Sequence, residues 1–235
     1  MQQQEEALTD APTKIPKNGR TRTPKSARTR DSLLEAAEAL FIERGFDGVS
    51  INDVARRAAA RKSLVFYYFR NKQDLFDSVL DRYYTAQAGA LVPALNSEGN
   101  LRDRIHQGID AYLGFVEKNP GYPRLIQREI CSGSRNLEKI LQHTKPLTLW
   151  GRQVFGDLLP EDGPRSLRHL FLSVFGMIIN YYTYSAALGP LWNADPMAPA
   201  ALAQRREHVH LVVDTLLDRF LERDSPARGE TGTGP

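Results

Sequence analysis

Cysteine is nearly absent from this 235-residue sequence: Cys131 is the single one. One cysteine excludes an internal disulfide, which is compatible with a reducing compartment, and we interpret Cys131 as a small buried residue rather than a redox sensor. The N-terminal segment MQQQEEALTDAPTKIPK has no apolar core, so we expect no secretory signal there. Hydrophobic residues make up 41% of the chain, enough for a substantial core. We therefore expect a cytoplasmic protein.

The sequence also lacks the common catalytic and metal-binding patterns. It has no Gly-x-Ser-x-Gly elbow, no His-Glu-x-x-His, no glycine-rich phosphate loop and no cysteine cluster. The five histidines are scattered, and His208 and His210, two positions apart, would lie on different faces of a helix. We therefore expect no enzymatic activity, no metal site and no cofactor.

Long apolar runs are scarce as well. The longest uncharged stretch includes residues 170–188, which are interrupted by polar or small residues such as Ser173, Gly176 and Asn180. A membrane-spanning helix needs roughly 20 predominantly apolar residues. We interpret this stretch as a helix of a soluble protein that is buried on all sides, and we expect no membrane partner.

Positive charge is concentrated near the N-terminus, although the net charge is only +3. Between Lys14 and Arg30 there are seven basic residues and no acidic residue. Such an arm is a plausible electrostatic footprint for nucleic acid, and a solvated disordered tail is the alternative. Because residues 1–27 and 224–235 are polar and aperiodic, we predict disorder in both segments.

The region after the arm has the pattern of short helices with clear ends. Apolar residues spaced three and four apart predict a first helix that stops at Gly45, with Phe46 as the apolar contact behind the stop. Ser50 begins a second helix, with Asp53 at its third position. Ala59-Ala60-Arg61 is either a turn or a continuation of this helix, and alanine propensity alone favours continuation.

The remaining chain is predicted to be helical as well. Residues 62–69 form an aromatic-rich third segment, and Asn71 is a good N-cap for a fourth helix. Proline, glycine and asparagine, including Gly189-Pro190, separate the later helices. No alternating strand pattern is present, so the fold class is all-α. The predicted later helices are 72–92, 101–118, 122–132, 136–158, 165–188 and 200–223.

The stretch from Thr29 to Phe76 resembles the DNA-binding head of the tetracycline-repressor (TetR) family. The resemblance covers about 48 of the 235 residues and includes the helix-Gly-Phe stop, the Ser that starts the second helix, Asp-Val-Ala within it and the Tyr-Phe-x-x-Lys close. It implies about nine helices: a three-helix helix-turn-helix head at 28–74 and a ligand-binding and dimerisation body at 75–223. It further implies a homodimeric transcriptional regulator, a ligand-responsive repressor that binds a pseudo-palindromic DNA operator.

The resemblance also implies which residues would contact DNA. Helix two would cross the phosphate backbone and helix three would lie in the major groove. Phosphate contacts are expected from Arg30, Ser50, Tyr68 and Lys72. Base contacts are expected from Lys62, Ser63 and Tyr67. Arg61 is expected to contact either a base or a phosphate. Val65, Phe66 and Phe69 are assigned to the core of the head.

Three positions depart from the family pattern. The family usually has Gly where Ala59 stands, a Gly-Thr pair near Ser63-Leu64, and Tyr where Phe66 stands. If Ala59 adopts a left-handed conformation, it costs about 1 kcal/mol relative to Gly. These departures predict an unusual operator. They also keep open an alternative, a helical interaction or ligand-binding module that has this fold but no longer reads DNA.

In the body, a sensing cavity and a dimer interface are expected. The apolar stretch 170–188 and the last helix, 200–223, would form a four-helix dimer interface, as the resemblance implies. A small-molecule effector, of a class that the sequence does not specify, would need an apolar cavity with few polar groups. The candidate lining residues are Tyr112, Arg128, Trp150, Phe155, Phe175, Ile179, Asn180 and Tyr182, although aromatic residues at helical spacing are more often ordinary core.

Overall fold

The computed structural model describes residues 24–133, 135–155 and 158–221. Most of the predicted N-terminal arm and all of the predicted C-terminal tail lie outside these residues. Within them every regular element is an α-helix, as the sequence predicted. The helices are α1 Pro24–Arg44, α2 Ile51–Arg57, α3 Lys62–Tyr68, α4 Lys72–Leu95, α5 Leu101–Lys118, α6 Gly121–Cys131, α7 Leu137–Phe155, α8 Leu167–Trp192 and α9 Pro199–Leu221.

Helix α1 begins inside the N-terminal segment for which we predicted disorder, so that prediction is wrong for residues 24–27, whereas the helix ends where predicted. It starts at Pro24, a residue that suits the first turn because its missing N–H would have no partner there. It ends at Arg44, and Gly45 follows with φ +75°, the left-handed conformation that glycine adopts without a Cβ clash. Phe46 is buried behind the stop. The helix-Gly-Phe stop is therefore confirmed.

Helices α2 and α3 are separate, and the turn between them contains a left-handed alanine. Ser50 caps α2 in a capping box with Asp53, as predicted. Ala59 has φ +50°, and the Ala60 N–H donates to the Ala55 carbonyl across the turn at 2.9 Å. The alternative of one continuous helix through the three residues is therefore wrong.

Helix α4 connects the head to the body. Asn71 caps it by accepting from the Asp74 N–H at 2.9 Å, as predicted. Near its start, Phe76 packs edge-on against Phe41 and Phe46, with ring centroids 4.9 and 5.1 Å apart. Because α4 extends through residue 95, the predicted boundary between residues 74 and 75 falls inside a single helix, and one apolar core runs from head to body.

Helix α8 differs from its prediction in length and in burial. It continues through Gly189-Pro190 to Trp192 and ends at the left-handed Asn193. Proline removes one helical hydrogen bond, but Ala186, whose carbonyl loses its donor, is exposed to water. The helix is long and apolar enough to cross a membrane by length and composition, yet only 28% of its most apolar window is buried. The expectation that it is buried on all sides is therefore wrong.

Candidate functional site

Helix α3 exposes one face that carries polar and aromatic side chains. Val65 and Phe69 are buried and anchor the helix to the head. On the opposite side Tyr67 is 68% exposed and Phe66 is 47% exposed, and the Lys62 Nζ lies 5.8 Å from the centroid of the Phe66 ring. The assignment of Phe66 to the core is wrong, because helical spacing places it one turn after Lys62 on the outward face.

Three further predicted DNA contacts extend this exposed face. Arg61 immediately precedes α3 as its N-cap in an extended conformation. Ser63 is exposed in the first turn of α3, and Ser50 is exposed at the start of α2. The structure therefore brings Arg61, Lys62, Ser63 and Tyr67 together on and beside one short helix.

The Ser50 hydroxyl is occupied within its own cap. It donates to Asp53 Oδ2 at 2.5 Å and accepts from the Asp53 N–H at 3.2 Å. The Ser50 backbone N–H also donates to Asp53 Oδ2, at 3.0 Å. The hydrogen bonds from the Ser50 hydroxyl and from its N–H lead the effects that lower the pKa of the Asp53 carboxyl. The cap fixes the N-terminal turn of α2, and so the orientation of the N–H groups there.

Arg30 and Tyr68 join α1 to α3. The Arg30 guanidinium lies over the Phe69 ring, 5.2 Å from its centroid. The Tyr68 hydroxyl and the Ser26 Oγ are 3.1 Å apart in a part-buried hydrogen bond. Both side chains are half-buried, so each has a role in positioning α3 in addition to any contact with a phosphate. The sequence reasoning did not identify Ser26.

Lys72 holds the turn that follows α1. Its Nζ donates to the Phe46 carbonyl at 2.9 Å and lies 4.2 Å from the centroid of the Phe46 ring. The Lys72 ammonium group, for which a phosphate contact was predicted, therefore already has a hydrogen-bond acceptor within the protein.

A buried carboxylate connects this turn to the body. Glu129 of α6 is 1% exposed; its Oε1 accepts from the Phe46 N–H at 3.2 Å and its Oε2 from Asn136 Nδ2 at 2.7 Å. The Asn136 Oδ1 in turn accepts from Gln73 Nε2 of α4 at 2.7 Å. Arg128, beside Glu129, donates to the Glu43 carbonyl at 3.1 Å. This network joins the head to α4, α6 and the start of α7, and no sequence pattern indicated it.

The body contains an apolar cavity of about 140 Å³ between α5, α7 and α8, closed by the ends of α4 and α9. Four of the eight predicted lining residues border it, namely Tyr112, Trp150, Phe155 and Phe175. Burial raises the pKa of Tyr112 well above its ordinary value, so its hydroxyl is neutral. The described residues that line it are Leu95, Ile105, Gly108, Ile109, Tyr112, Leu147, Trp150, Gly151, Phe155, Leu167, Leu170, Phe171, Val174, Phe175, Ile178, Val213 and Leu217.

The other four predicted lining residues lie elsewhere. Arg128 contacts the head, as described above. Asn180 is exposed and its Oδ1 accepts from Gln127 Nε2 at 2.7 Å, so this amide finds its partner at the surface. Ile179 and Tyr182 are buried, but they do not border the cavity. The three α8 residues were predicted wrongly because a different face of α8 points to the cavity. That face carries Phe171, Val174, Phe175 and Ile178.

Two glycines were missed as cavity residues. Gly108 of α5 and Gly151 of α7 both line the cavity. A Cβ at Gly108 would lie 2.9 Å from a Leu95 methyl group, and one at Gly151 would lie 3.3 Å from a Leu167 methyl group. Glycine inside a helix lowers stability relative to alanine. Its presence at these two positions could therefore have indicated that a neighbouring side chain approaches the helix closely there.

The environment of the single cysteine differs from the prediction. Cys131 is exposed at the end of α6, so its interpretation as a buried residue is wrong. Within residues 24–133, 135–155 and 158–221, no group of three or more His, Cys, Asp or Glu side chains could hold a metal ion.

Comparisons with known proteins identify the head. Residues 33–79 match the family model described as bacterial regulatory proteins, tetR family. The HTH-type transcriptional activator FasR of Mycolicibacterium smegmatis is 30% identical over 105 residues, 45% of this chain and 48% of that protein. The HTH-type transcriptional repressor NemR of Escherichia coli K12 is 38% identical over 78 residues, 33% of this chain and 39% of that protein. The chain therefore covers about half or less of the length of these two relatives.

The fold of the described chain is also shared with solved structures. The structure of the ketosteroid transcriptional regulator KstR2 of Mycobacterium tuberculosis matches 79% of this chain and 93% of that chain, with a TM-score of 0.58 and 18% identity. The match therefore includes the body as well as the head. Residues 33–79 of the head therefore match the tetR family of bacterial regulatory proteins, and the all-helical architecture is shared with a solved structure beyond that head.

Proposed function

We propose that this protein is a transcriptional regulator that binds double-stranded DNA through α3 and acts in the cytoplasm. The exposed face of α3 carries the proposal, because Lys62, Ser63 and Tyr67 project from a short helix whose other face is fixed by buried Val65 and Phe69. A helix-turn-helix motif inserts such a helix into the major groove. There lysine can donate to guanine, and serine can contact either base of a pair.

The groups around α3 suit contacts to the phosphate backbone. Arg61 lies at the start of α3, and Ser50 presents the N-terminal turn of α2, where free N–H groups favour an anion. Arg30 lies over the Phe69 ring at the end of α3, and Lys72 lies in the first turn of α4 with its Nζ at the Phe46 carbonyl, so both add positive charge to the head. Phosphate contacts set the orientation on the duplex and add affinity without sequence information.

The first experiment measures polarisation of a labelled random duplex at about 50 and 200 mM salt. A protein with 6–10 phosphate contacts loses roughly 10³–10⁵ in affinity over that range. Selection from a random DNA pool then gives the operator, and Lys62→Ala and Tyr67→Ala should each weaken operator binding by about 1–3 kcal/mol. Lys118→Ala, the same change on an exposed lysine of α5, is the control. Undetectable binding at low salt would instead favour the module that no longer reads DNA.

We propose that two copies pair through α8 and α9. Large apolar side chains are exposed on both helices, among them Leu172 and Tyr184 on α8 and Leu211 on α9, which is 64% exposed. Burying such a surface against a second copy is favourable. A twofold pair presents two copies of α3 about 34–36 Å apart, one turn of B-DNA, which fits a pseudo-palindromic operator.

Analytical ultracentrifugation tests this pairing. Leu211→Glu should shift the protein towards a monomer because a carboxylate would be buried in the interface. Leu141→Glu, at a comparably exposed position on α7, should leave the mass unchanged. A wild-type protein that sediments as a monomer at micromolar concentration would contradict the proposal.

We further propose that a small molecule in the body cavity lowers DNA affinity, so that the protein acts as a ligand-responsive repressor. The cavity borders α5, α7 and α8, and α6, which lies between α5 and α7 in the chain, contacts the head through Glu129 and Arg128. A ligand that binds one arrangement of these helices better than another shifts the population between them. Coupling of about 1–3 kcal/mol would change DNA affinity about 5- to 150-fold. A titration in which saturating ligand leaves operator affinity unchanged would refute it.

A further inference from the structure

The apolar cavity described above is here called the inner chamber. A second cavity, here called the vestibule, lies against it and has a volume of about 600 Å³. Five residues on α7 and the first turns of α8 border both spaces and form a common seam. These residues are Leu147, Gly151, Phe155, Leu167 and Phe171.

The two cavities differ in the charge of their lining residues. Among the residues that the structure describes, no charged side chain lines the inner chamber. Its few polar groups are neutral, and the Trp150 Nε1 already donates to the Leu95 carbonyl at 3.3 Å. A charged ligand group there would lose its water and find no opposite charge among the described lining residues, only a neutral group such as the Tyr112 hydroxyl, which is strongly unfavourable. The inner chamber therefore suits a hydrocarbon segment.

The vestibule is rich in positive charge. Of the described residues that line it, Lys145, Arg152 and Arg168 are cationic and Glu161 alone carries a carboxylate. Arg168 forms an ion pair with Asp162 at 3.0 Å. Among the described residues Lys145 and Arg152 have no ion-pair partner, so their charges are available to a ligand. Both lie on α7, whose Leu147 and Gly151 belong to the seam.

We propose that the effector is an anionic amphiphile, with its apolar chain in the inner chamber and its carboxylate or phosphate group in the vestibule beside Lys145 and Arg152. This inference rests on the proposed ligand response, for which it names the ligand class. The apolar chain supplies most of the affinity by leaving water, and the two cations select the sign of the head group. A cationic amphiphile of the same chain length is disfavoured by like-charge repulsion.

The fluorescence of a tryptophan in the inner chamber can report ligand binding. Trp150 lines the inner chamber, and the second tryptophan, Trp192, lies at the end of α8. In the full-length protein with Trp192→Phe, the fluorescence of Trp150 is followed during titration with four probes below their micellar concentrations. The probes are dodecanoate, dodecyl phosphate, dodecanol and dodecyltrimethylammonium.

The expected result is that at least one of the two anions binds about threefold to tenfold more tightly than dodecanol, the range for a few partly exposed ion pairs. Comparing the carboxylate with the phosphate then identifies the preferred head group. Lys145→Glu combined with Arg152→Glu should abolish the preference for the anion and leave dodecanol binding unchanged. Lys118→Glu is the matched control on α5. Equal affinity for anion and alcohol in the wild-type protein, or no binding of any probe, would overturn the proposal.

A glycine in the seam offers a second, steric test. A side chain at Gly151 meets Leu167, whereas a Cβ at Gly114 of α5 has no neighbour within 4 Å. Gly151→Val should weaken dodecanoate binding at least tenfold and Gly114→Val should not, with folding of both verified by circular dichroism. Unchanged binding in a folded Gly151→Val protein would contradict a ligand that crosses the seam.

Failure of the proposed ligand class and failure of the proposed ligand response would give different experimental results. Selective binding of the anion without any change in DNA affinity supports the ligand class and removes the proposed response. A DNA-binding protein that ignores every amphiphile retains the proposed DNA-binding function and loses the ligand class.

Discussion

Replacing Ala59 by glycine should stabilise the protein. Ala59 has φ +50° in the turn between α2 and α3, and a left-handed conformation costs an L-residue about 1–2 kcal/mol. Its side chain is exposed, so removal of the methyl group loses no core packing. Glycine in turn loses about 0.5–1 kcal/mol more conformational entropy on folding. The balance is a gain of about 0.5–1 kcal/mol in the free energy of unfolding.

Urea denaturation followed by circular dichroism at 222 nm measures this difference. The midpoint should rise while the slope stays constant, because the surface exposed on unfolding is unchanged. In a thermal scan the gain corresponds to about 1–4 °C for a chain of this size.

Ala88→Gly is the control, since Ala88 is exposed inside α4 and glycine at a helix interior costs about 1 kcal/mol. If Ala59→Gly destabilises the protein as much as Ala88→Gly does, Ala59 lies in a continuous helix and the separation of α3 is refuted.

Three further outcomes are expected from buried groups. Glu129→Ala should lower the free energy of unfolding by about 1–3 kcal/mol, measured in urea, because it leaves the buried N–H of Phe46 without its acceptor. Phe76→Ala should lower it by about 3–5 kcal/mol in the same assay, because it opens a cavity in the aromatic cluster of the head. Burial lowers the pKa of His143, which stacks on Tyr84 at 3.8 Å, so the native state disfavours its protonated form and stability should fall as the pH drops below 6.5. His143→Phe keeps the ring stack and should remove that part of the fall between pH 7.5 and 5.5.

A specific result would contradict each of these three predictions. A Glu129→Gln variant as unstable as Glu129→Ala would show that acceptance from Phe46 is not the source of the loss, since the amide oxygen of glutamine can still accept. A loss below about 1 kcal/mol for Phe76→Ala would contradict the close packing of the three rings. Identical pH dependence in the wild type and in His143→Phe would remove His143 from the acid response.

The local sequence determined where α1 ends and where α2 and α4 begin. The stop at Gly45 and the caps at Ser50 and Asn71 depend on hydrogen bonds that span three or four residues and on backbone conformations that few residues adopt. These features are therefore readable from the chain itself. The all-helical class also followed from periodicity, which needs no knowledge of what each helix contacts.

Other features were decided by tertiary structure. Propensity favoured a helix through Ala59, but burial of Val65 and Phe69 in the head outweighs the roughly 1 kcal/mol cost of the turn. The hydrogen bond between Phe46 and Glu129 joins residues 83 positions apart, and helical spacing gives no information about such a pair. The lining of the inner chamber and the cations of the vestibule depend on how α5, α7 and α8 rotate against one another. That rotation is set by the packing of complementary surfaces from distant parts of the chain, and no single helix encodes it.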